Sequence, residues 1–173
     1  RTVRSPGAFA KFSATPLEHR FGAPRVGQHT DEVLSDASLA RSPLPRSSKN
    51  GRSEGAPPLE GLKILDFQWV MAGPAGTRVL ADYGATIVKL ESTTSVDTAR
   101  GLQPFKDGTP GPESSGLFHN MNAGKLGLTL DLNTTEGLAV AEDLVRWADV
   151  VCESFSPKAM RAWGLDYESL RKI

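Results

Sequence analysis

Residues 59–91 contain the pattern that most restricts the fold of this chain: an apolar run, a glycine-proline break, a helical segment and a second apolar run. The run at 62–67 is almost continuously apolar, which is typical of a strand buried on both faces of a parallel sheet. Pro74 suits the first turn of a helix, and Gly84 suits its end. A second strand at Thr86–Glu91 completes a strand-helix-strand unit, whose crossover is expected to be right-handed.

The loop before that helix is a candidate phosphate site. It would present the amides of Gly73, Ala75 and Gly76 at a helix N-terminus on the carboxyl edge of the sheet, where phosphorylated cofactors commonly bind. The alternative is that these small residues only allow close packing of helix and strand. The loop lacks the G-x-G-x-x-G spacing, although Glu91 lies 18 positions after Gly73, near the place of the ribose-binding acid in nicotinamide-binding folds.

After a long polar connection the chain continues to alternate strands and helices. Residues 92–115 are rich in Gly, Pro and Thr and are interpreted as a lid or binding loop, or else as a mobile surface loop. A short helix around Phe118 leads through a small-residue turn into a strand at 126–132. Lys125 in that turn is a candidate phosphate contact, with a solvated surface lysine as the alternative.

Capping residues predict the later helices. Asn133 and Glu136 have the spacing of a capping box, and a third return strand is expected within 149–155. Ser156, Gly164 and Asp166 are placed to begin or end the last helices. We therefore predict an α/β fold, an incomplete Rossmann-like parallel sheet with flanking helices.

Composition excludes several classes of function. The formal net charge is +0 at pH 7, so there is no electrostatic basis for binding nucleic acid or an anionic membrane. No apolar run approaches membrane-spanning length, and no metal site is predicted. Cys152, the single cysteine, is interpreted as a buried structural thiol, which fits a reducing, cytoplasmic location. Because the chain begins with Arg1 and ends in a helical pattern, we expect a fragment of a longer protein.

Several segments occur in an order and spacing that resemble one family. They are LEGLKILDF at 59–67, AGP at 72–74, LADYGA at 80–85, IVKLE at 87–91, LDL at 130–132 and ADVVCESF at 148–155. Over residues 58–173 the chain is similar to the amino-terminal part of class III coenzyme A transferases, the CaiB/BaiF family. The resemblance implies a Rossmann-like domain that binds coenzyme A (CoA). It also implies an enzyme that moves CoA between an acyl-CoA thioester and a carboxylic acid through an aspartyl anhydride, without a metal.

The same resemblance assigns candidate site residues. Val70, Met71 and Ala72, with Gly73, match a loop that lines the thioester and pantetheine, and Leu130 and Phe155 match residues that flank the adenine. Asn133 replaces a common lysine after Leu-Asp-Leu, just as Ser92 and Ala162 replace common arginines, so phosphate contacts are lost, with Lys125 as one possible compensation. The list of cofactor-binding candidates is Val70, Met71, Ala72, Gly73, Lys125, Leu130, Asn133 and Phe155. No catalytic residue is assigned, since the nucleophilic aspartate is expected beyond Ile173.

The amino-terminal tail carries a second resemblance. Residues 12–16 and 27–34 are similar to the carboxyl-terminal end of the same family. We therefore expect the tail of a preceding copy at 1–34, a disordered linker at 35–57 and the CoA-binding part of a second copy at 58–173. The family implies an interlocked homodimer, for which an intrachain pseudo-dimer could substitute.

Four functions follow from these patterns. The first is a CoA-transferase that acts on acyl-CoA and carboxylate substrates, here in a fragment without its nucleophile. The second is an α-methylacyl-CoA racemase or another acyl-CoA enzyme on the same fold, which Met71 leaves open because a thioether cannot donate a hydrogen bond. The third is a non-catalytic half of a tandem pseudo-dimer. A nicotinamide-dependent oxidoreductase is the remaining alternative.

Overall fold

The computed structural model describes residues 10–17, 19–35 and 55–173. Its helices and strands in chain order are α1 (Thr30–Ser35), β1 (Lys63–Asp66), α2 (Ala72–Asp82), β2 (Thr86–Glu91), α3 (Gly116–Asn122), β3 (Leu126–Thr129), α4 (Thr135–Trp147), β4 (Val150–Cys152), α5 (Pro157–Ala162) and α6 (Tyr167–Leu170). Two 3₁₀ turns, Thr98–Gly101 and Lys106–Gly108, lie between β2 and α3. The predicted α/β fold with a parallel sheet is confirmed.

The four described strands form one parallel sheet in the order β3-β2-β1-β4. The strands β1 to β3 progress to one side, and β4 then returns to the other side of β1. Asp66 at the end of β1 is in register with Lys89 on one side and Cys152 on the other. In open parallel sheets the carboxyl ends of the strands at such a reversal border a crevice in which ligands bind.

One face of the sheet is covered by an apolar layer. Val88, Leu90 and Leu128 of the central and edge strands form one buried cluster with Ala141 and Leu144 of α4. Each of these side chains is at most 5% exposed. Because burial of one such leucine or valine contributes roughly 1.5–3 kcal/mol, this layer supplies much of the stability of the domain.

The opposite face of the sheet is apolar only in its first half. There Ile64 and Ile87 pack against Ala81 of α2. Side chains two positions apart on a strand share a face, so the next positions on this face are Asp66 after Ile64, and Lys89 and Glu91 after Ile87. This face therefore changes from apolar to charged as the strands approach their carboxyl ends.

Most of the predicted helix ends are confirmed. Gly84 and Gly164 have the left-handed φ values of 103° and 68° that end their helices. Ser156 caps α5, and its side chain accepts a hydrogen bond from the amide of Ala159. The strands are shorter than predicted, since β3 ends at Thr129 and β4 ends at Cys152.

The predicted capping role of Asn133 is wrong by one residue. The N-cap of α4 is Thr134, whose hydroxyl accepts a hydrogen bond from the Gly137 amide at 3.0 Å. The Asn133 side chain donates instead to Asp131 Oδ1 at 3.0 Å. A carboxylate two residues upstream thus satisfies Asn133 and leaves the adjacent threonine to begin the helix.

Residues 19–29 run from the end of α2 to β3, the strand at one end of the described sheet. The His29 amide donates to the Gly127 carbonyl at 2.9 Å, and His29 Nδ1 accepts from the Gly127 amide at 3.0 Å. A Cβ atom at Gly127 would lie 2.7 Å from Pro24 Cβ, so the absent side chain makes room for the segment. Arg20 donates to the Ala85 carbonyl at 2.6 Å. This segment therefore satisfies and covers part of the strand edge.

The helix that follows this segment also packs on the domain. Val33 of α1 is 5% exposed and belongs to the apolar cluster. Thr30 is the first residue of α1, and its hydroxyl accepts from the Thr129 amide at 3.2 Å. Most of the predicted linker, residues 36–54, lies outside the described residues, so its disorder and the proposed domain boundaries stay predictions.

We predict that residues 19–35 remain bound to the domain after the chain is cut between residue 35 and the domain. Cleavage at a specific protease site inserted at residue 45 would break the backbone between this segment and the domain. It would leave the contacts of Arg20, His29 and Val33 intact. The cleaved pieces should co-elute on size-exclusion chromatography. In an Arg20→Ala/His29→Ala variant, loss of about 2 kcal/mol of hydrogen bonding should weaken the association roughly thirtyfold. Complete separation of the unsubstituted pieces would contradict the prediction.

Candidate functional site

The charged half of the sheet contains six buried acidic and basic side chains, and sequence reasoning did not identify them as a cluster. They are three acids and three bases, each at most 1% exposed: Asp66, Glu91, Asp97, Lys89, Arg100 and Lys125. Each acid lies within an ion-pair distance of one base. An isolated charge in this environment would cost several kcal/mol, so the equal numbers of both signs are a condition for folding.

The first pair joins Asp66 at the end of β1 to Lys125 at the start of β3. Lys125 Nζ lies 2.9 Å from Asp66 Oδ2 and also donates to the Pro74 carbonyl and to Asn122 Oδ1, each at 3.0 Å. Burial lowers the pKa of Lys125 to about 8, and the neighbouring Asp66 opposes this shift. The ammonium therefore remains largely protonated at neutral pH.

These contacts correct both sequence expectations for Lys125, a phosphate contact and a solvated surface lysine. Its side chain is 0% exposed, and all three ammonium hydrogens have acceptors inside the protein. The small-residue turn that precedes it brings the lysine under α2 instead of facing solvent. Lys125 connects α2, α3 and β1, and we no longer place it at a ligand phosphate.

The second pair positions the loop between β1 and α2. Lys89 Nζ donates to the Gln68 carbonyl at 2.7 Å and lies 2.9 Å from Asp97 Oδ2. Asp97 Oδ1 accepts from the Val70 amide at 3.0 Å. Val70 has a φ of 71°, an unfavourable backbone conformation for a β-branched residue. Buried charges thus hold an exposed loop residue in a strained conformation, a feature that often occurs at ligand sites.

The third pair fixes the connection after β2. Glu91 accepts two hydrogen bonds from Arg100, at 2.9 Å through Nε and 2.7 Å through Nη2. Arg100 also donates to the carbonyls of Pro24 and Pro112, each at 3.1 Å. Because both oxygens of Glu91 are used, it does not have the free carboxylate expected of a ribose-binding acid. The connection 92–115, predicted as a lid or binding loop or else as a mobile surface loop, is anchored by a buried arginine, Arg100.

A pocket of about 200 Å³ opens at the carboxyl ends of the strands. Its walls come from the segments after all four strands, and an aromatic group forms one side of it: Trp69 after β1, Phe155 after β4 and Trp163 after α5. The rings of Trp69 and Phe155 are 5.1 Å apart, and those of Phe155 and Trp163 are 5.4 Å apart, both edge to face. The pocket therefore borders the reversal of strand order between β1 and β4.

The polar groups of this pocket are mostly neutral. Ser92, Thr94 and Ser95 contribute hydroxyls on the side of β2, and Asn133 contributes an amide beyond β3. The indole N–H of Trp69 is buried and has no hydrogen-bond partner within the described part of the chain. Such a set of donors and aromatic surfaces suits a ligand with a flat ring and hydroxyl groups.

The structure divides the predicted site residues into three groups. Leu130, Asn133 and Phe155 line the pocket. The loop residues Val70, Met71, Ala72 and Gly73 follow Trp69 but are not part of this lining, and Met71 is 52% exposed. Lys125, buried below α2, forms the third group.

The backbone amides at the start of α2, predicted as a phosphate site, are only partly free to bind a ligand. The Ala75 amide donates to the Met71 carbonyl at 2.9 Å, as an ordinary helical bond. At Gly73, a Cβ atom would lie 2.6 Å from Gln68 Cδ, so the glutamine side chain covers this position. Gly73 is thus required by a close side-chain contact, which is the packing alternative stated for these small residues.

None of the described helices combines the length and apolar character needed to cross a membrane. Within the same residues, no group of three or more His, Cys, Asp or Glu side chains is arranged to hold a metal ion.

Comparisons with known proteins identify relatives of residues 59–173, which match the family model described as CoA-transferase family III. The chain is 41% identical over 119 residues to succinate–glutarate CoA-transferase of Agrobacterium fabrum, covering 68% of this chain and 30% of that protein. It is 36% identical over 117 residues to formyl-CoA:oxalate CoA-transferase of Escherichia coli, covering 67% and 27%. A crystal structure of a CaiB/BaiF family protein from Brucella suis matches with a TM-score of 0.59 and 38% identity, covering 66% and 30%.

We predict that Lys125→Met lowers the free energy of unfolding by about 3–5 kcal/mol, because it leaves the buried Asp66 carboxylate without its counter-ion. Urea denaturation followed by circular dichroism measures this change. The matched control is Asp66→Asn/Lys125→Met, in which both charges are absent, and most of the lost stability should return. Equal destabilisation by the single and double substitutions would show that the two charges are not coupled.

Proposed function

The chain belongs to CoA-transferase family III, and we propose that residues 58–173 bind the CoA part of an acyl-CoA at the carboxyl ends of the parallel strands. In this proposal the adenosine of CoA occupies the pocket between the aromatic group and β2. The pantetheine then runs toward the loop that contains Val70, Met71 and Ala72. The reaction of the whole protein would move CoA between an acyl-CoA thioester and a carboxylic acid.

The observation that carries this proposal is the position of the pocket. It lies at the reversal of strand order between β1 and β4, where Trp69 and Phe155 follow the ends of the two strands. Aromatic side chains at this place offer ring surfaces to a nucleobase, and stacking on one aromatic residue contributes about 1–3 kcal/mol per base. The unpaired indole N–H of Trp69 could donate to a ring nitrogen or a ribose oxygen.

The loop toward the thioester supports the same orientation. Val70 and Met71 are 39% and 52% exposed, so both side chains are free to contact a ligand. Lys89 and Asp97 hold the backbone of this loop from below, through Gln68 and Val70. Because this loop is already fixed, it would lose little conformational entropy when it binds and orients a flexible pantetheine.

The chain spans about 30% of the length of its relatives, so the complete reaction is part of the proposal. We propose that the acyl group is accepted by an aspartate outside these 173 residues. An acyl-CoA racemase remains a second candidate. The exposed Met71 lies in the loop assigned to the thioester, and its side chain cannot donate a hydrogen bond there. A third candidate is a non-catalytic half that binds CoA without turnover.

The contacts of residues 19–35 support the proposed tandem arrangement. If these residues are the carboxyl-terminal tail of a preceding copy, their packing on β3 joins the end of one copy to the start of the next. An intrachain pseudo-dimer, or an interlocked homodimer in which tails are exchanged, would follow from this arrangement. We further propose a cytoplasmic location, where acyl-CoA thioesters are available.

We predict that Phe155→Leu weakens CoA binding about tenfold, since it removes a ring surface while keeping most of the apolar volume. Isothermal titration calorimetry of the 173-residue chain measures the dissociation constant. Tyr167→Ala is the matched control, because Tyr167 is 75% exposed and lies outside the pocket, and it should leave CoA binding unchanged. Absence of CoA binding by the unsubstituted chain would overturn the proposed function.

We predict that the chain forms no hydroxamate when it is incubated with hydroxylamine and an acyl-CoA. Hydroxylamine captures an acyl anhydride, and the carboxylates beside the pocket are already committed: Glu91 to Arg100, and Asp131 to Asn133. Because hydroxylamine also reacts directly with the acyl-CoA thioester, the diagnostic product is a hydroxamate on a carboxylate side chain of the protein. Mass spectrometry of the protein detects it, and a complete family member serves as the positive control. Acyl-CoA-dependent hydroxamate from the chain alone would place a nucleophile within these residues.

A further inference from the structure

We propose that the pocket binds the adenosine of CoA without recognising its 3′-phosphate, so that the chain binds 3′-dephospho-CoA as tightly as CoA. This inference rests on the proposed function, because it assigns the adenosine to the same pocket. It concerns which form of the cofactor the site accepts, and it is argued from the charges in the pocket wall.

Among the residues that the structure describes, none in the wall of the pocket is a lysine, arginine or histidine. The two charged residues of this described wall are both acidic, Glu91 and Asp131. The charge of Glu91 is compensated by Arg100 at 2.7 Å. Asp131 is exposed, and within the described part of the chain its carboxylate accepts only from the Asn133 amide and side chain, each at 3.0 Å, which are neutral donors. The charge that remains in the pocket wall is therefore negative.

Arg100, the cation behind this wall, has no donor left for a ligand. Its guanidinium binds Glu91 and Glu113, and its remaining hydrogen bonds go to the carbonyls of Pro24 and Pro112. Its side chain is 1% exposed. A phosphate in the pocket could reach it only if the bonds that hold the 92–115 connection were broken.

A phosphate monoester carries about −1.5 to −2 charges at neutral pH. Tight phosphate sites neutralise this charge with Arg, Lys or a helix N-terminus, through short charge-assisted hydrogen bonds. Here the phosphate would meet neutral groups and the Asp131 carboxylate, so it would gain little on leaving water. A free 3′-hydroxyl, in contrast, matches the uncharged partners present.

The neutral side of the pocket suits such a hydroxyl. The hydroxyls of Ser92 and Thr94 lie 2.9 Å apart, and each can both donate and accept. The aromatic group Trp69, Phe155 and Trp163 supplies the surface for the base. Binding would thus come from stacking and hydroxyl contacts, which are insensitive to the presence of the 3′-phosphate.

The test compares three ligands on the 173-residue chain by calorimetry: CoA, 3′-dephospho-CoA and pantetheine. We expect the dissociation constants of CoA and dephospho-CoA to agree within about threefold, and pantetheine to bind at least about tenfold more weakly. CoA binding more than about tenfold tighter than dephospho-CoA would overturn this inference while leaving the proposed function intact. Binding of none of the three, or equal binding of pantetheine and CoA, would reject the adenosine site itself.

Two substitutions in the pocket wall sharpen the test. Asn133→Lys adds a cation and should create a preference for CoA over dephospho-CoA of about fivefold or more, reduced at high salt. Asn133→Gln is the matched control and should create none. Asp131→Asn removes the remaining negative charge and should shift the ratio in the same direction as Asn133→Lys. If the unsubstituted chain already prefers CoA and Asp131→Asn leaves that ratio unchanged, the absence of a phosphate contact is wrong.

Discussion

The ionic network beneath the carboxyl ends of the strands determines how this domain presents its candidate ligand site. Lys89 illustrates the dependence, because its ammonium contacts the loop after β1 and the carboxylate that holds the strained Val70. The three acids and three bases balance one another, so none of them can be lost alone without leaving a buried charge. The exposed loops of the candidate site are therefore held in place from inside by buried charged groups.

The backbone pattern was predictable because hydrophobic periodicity and capping chemistry are local properties. The strand Thr86–Glu91 and the helix ends at Gly84, Ser156 and Gly164 follow from such signals. The pairing of Asp66 with Lys125 spans 59 positions and depends on how β1 and β3 are placed, which no local pattern encodes. The alternation of Ile87, Lys89 and Glu91 did carry a signal, since charges recur on one face of a strand that is otherwise buried.

The lining of this pocket was predicted in part. Leu130, Asn133 and Phe155 were assigned by resemblance and do share one pocket, whereas Trp69 and Trp163 were missed. A tryptophan directly after a buried strand was the available indication, because that position lies at the ligand edge of a parallel sheet. Lys125 was misassigned because a lysine in a small-residue turn looks exposed until the partners that surround it are known.

The fit between Gly127 and Pro24 has a consequence for preparing the domain by itself. Without residues 19–35, β3 would present unpaired backbone groups next to a position that has no side chain to block approach. Such an edge can pair with a strand of another molecule. Residues 55–173 expressed alone would thus tend to associate through their sheets. By occupying this strand edge, residues 19–35 would prevent such aggregation.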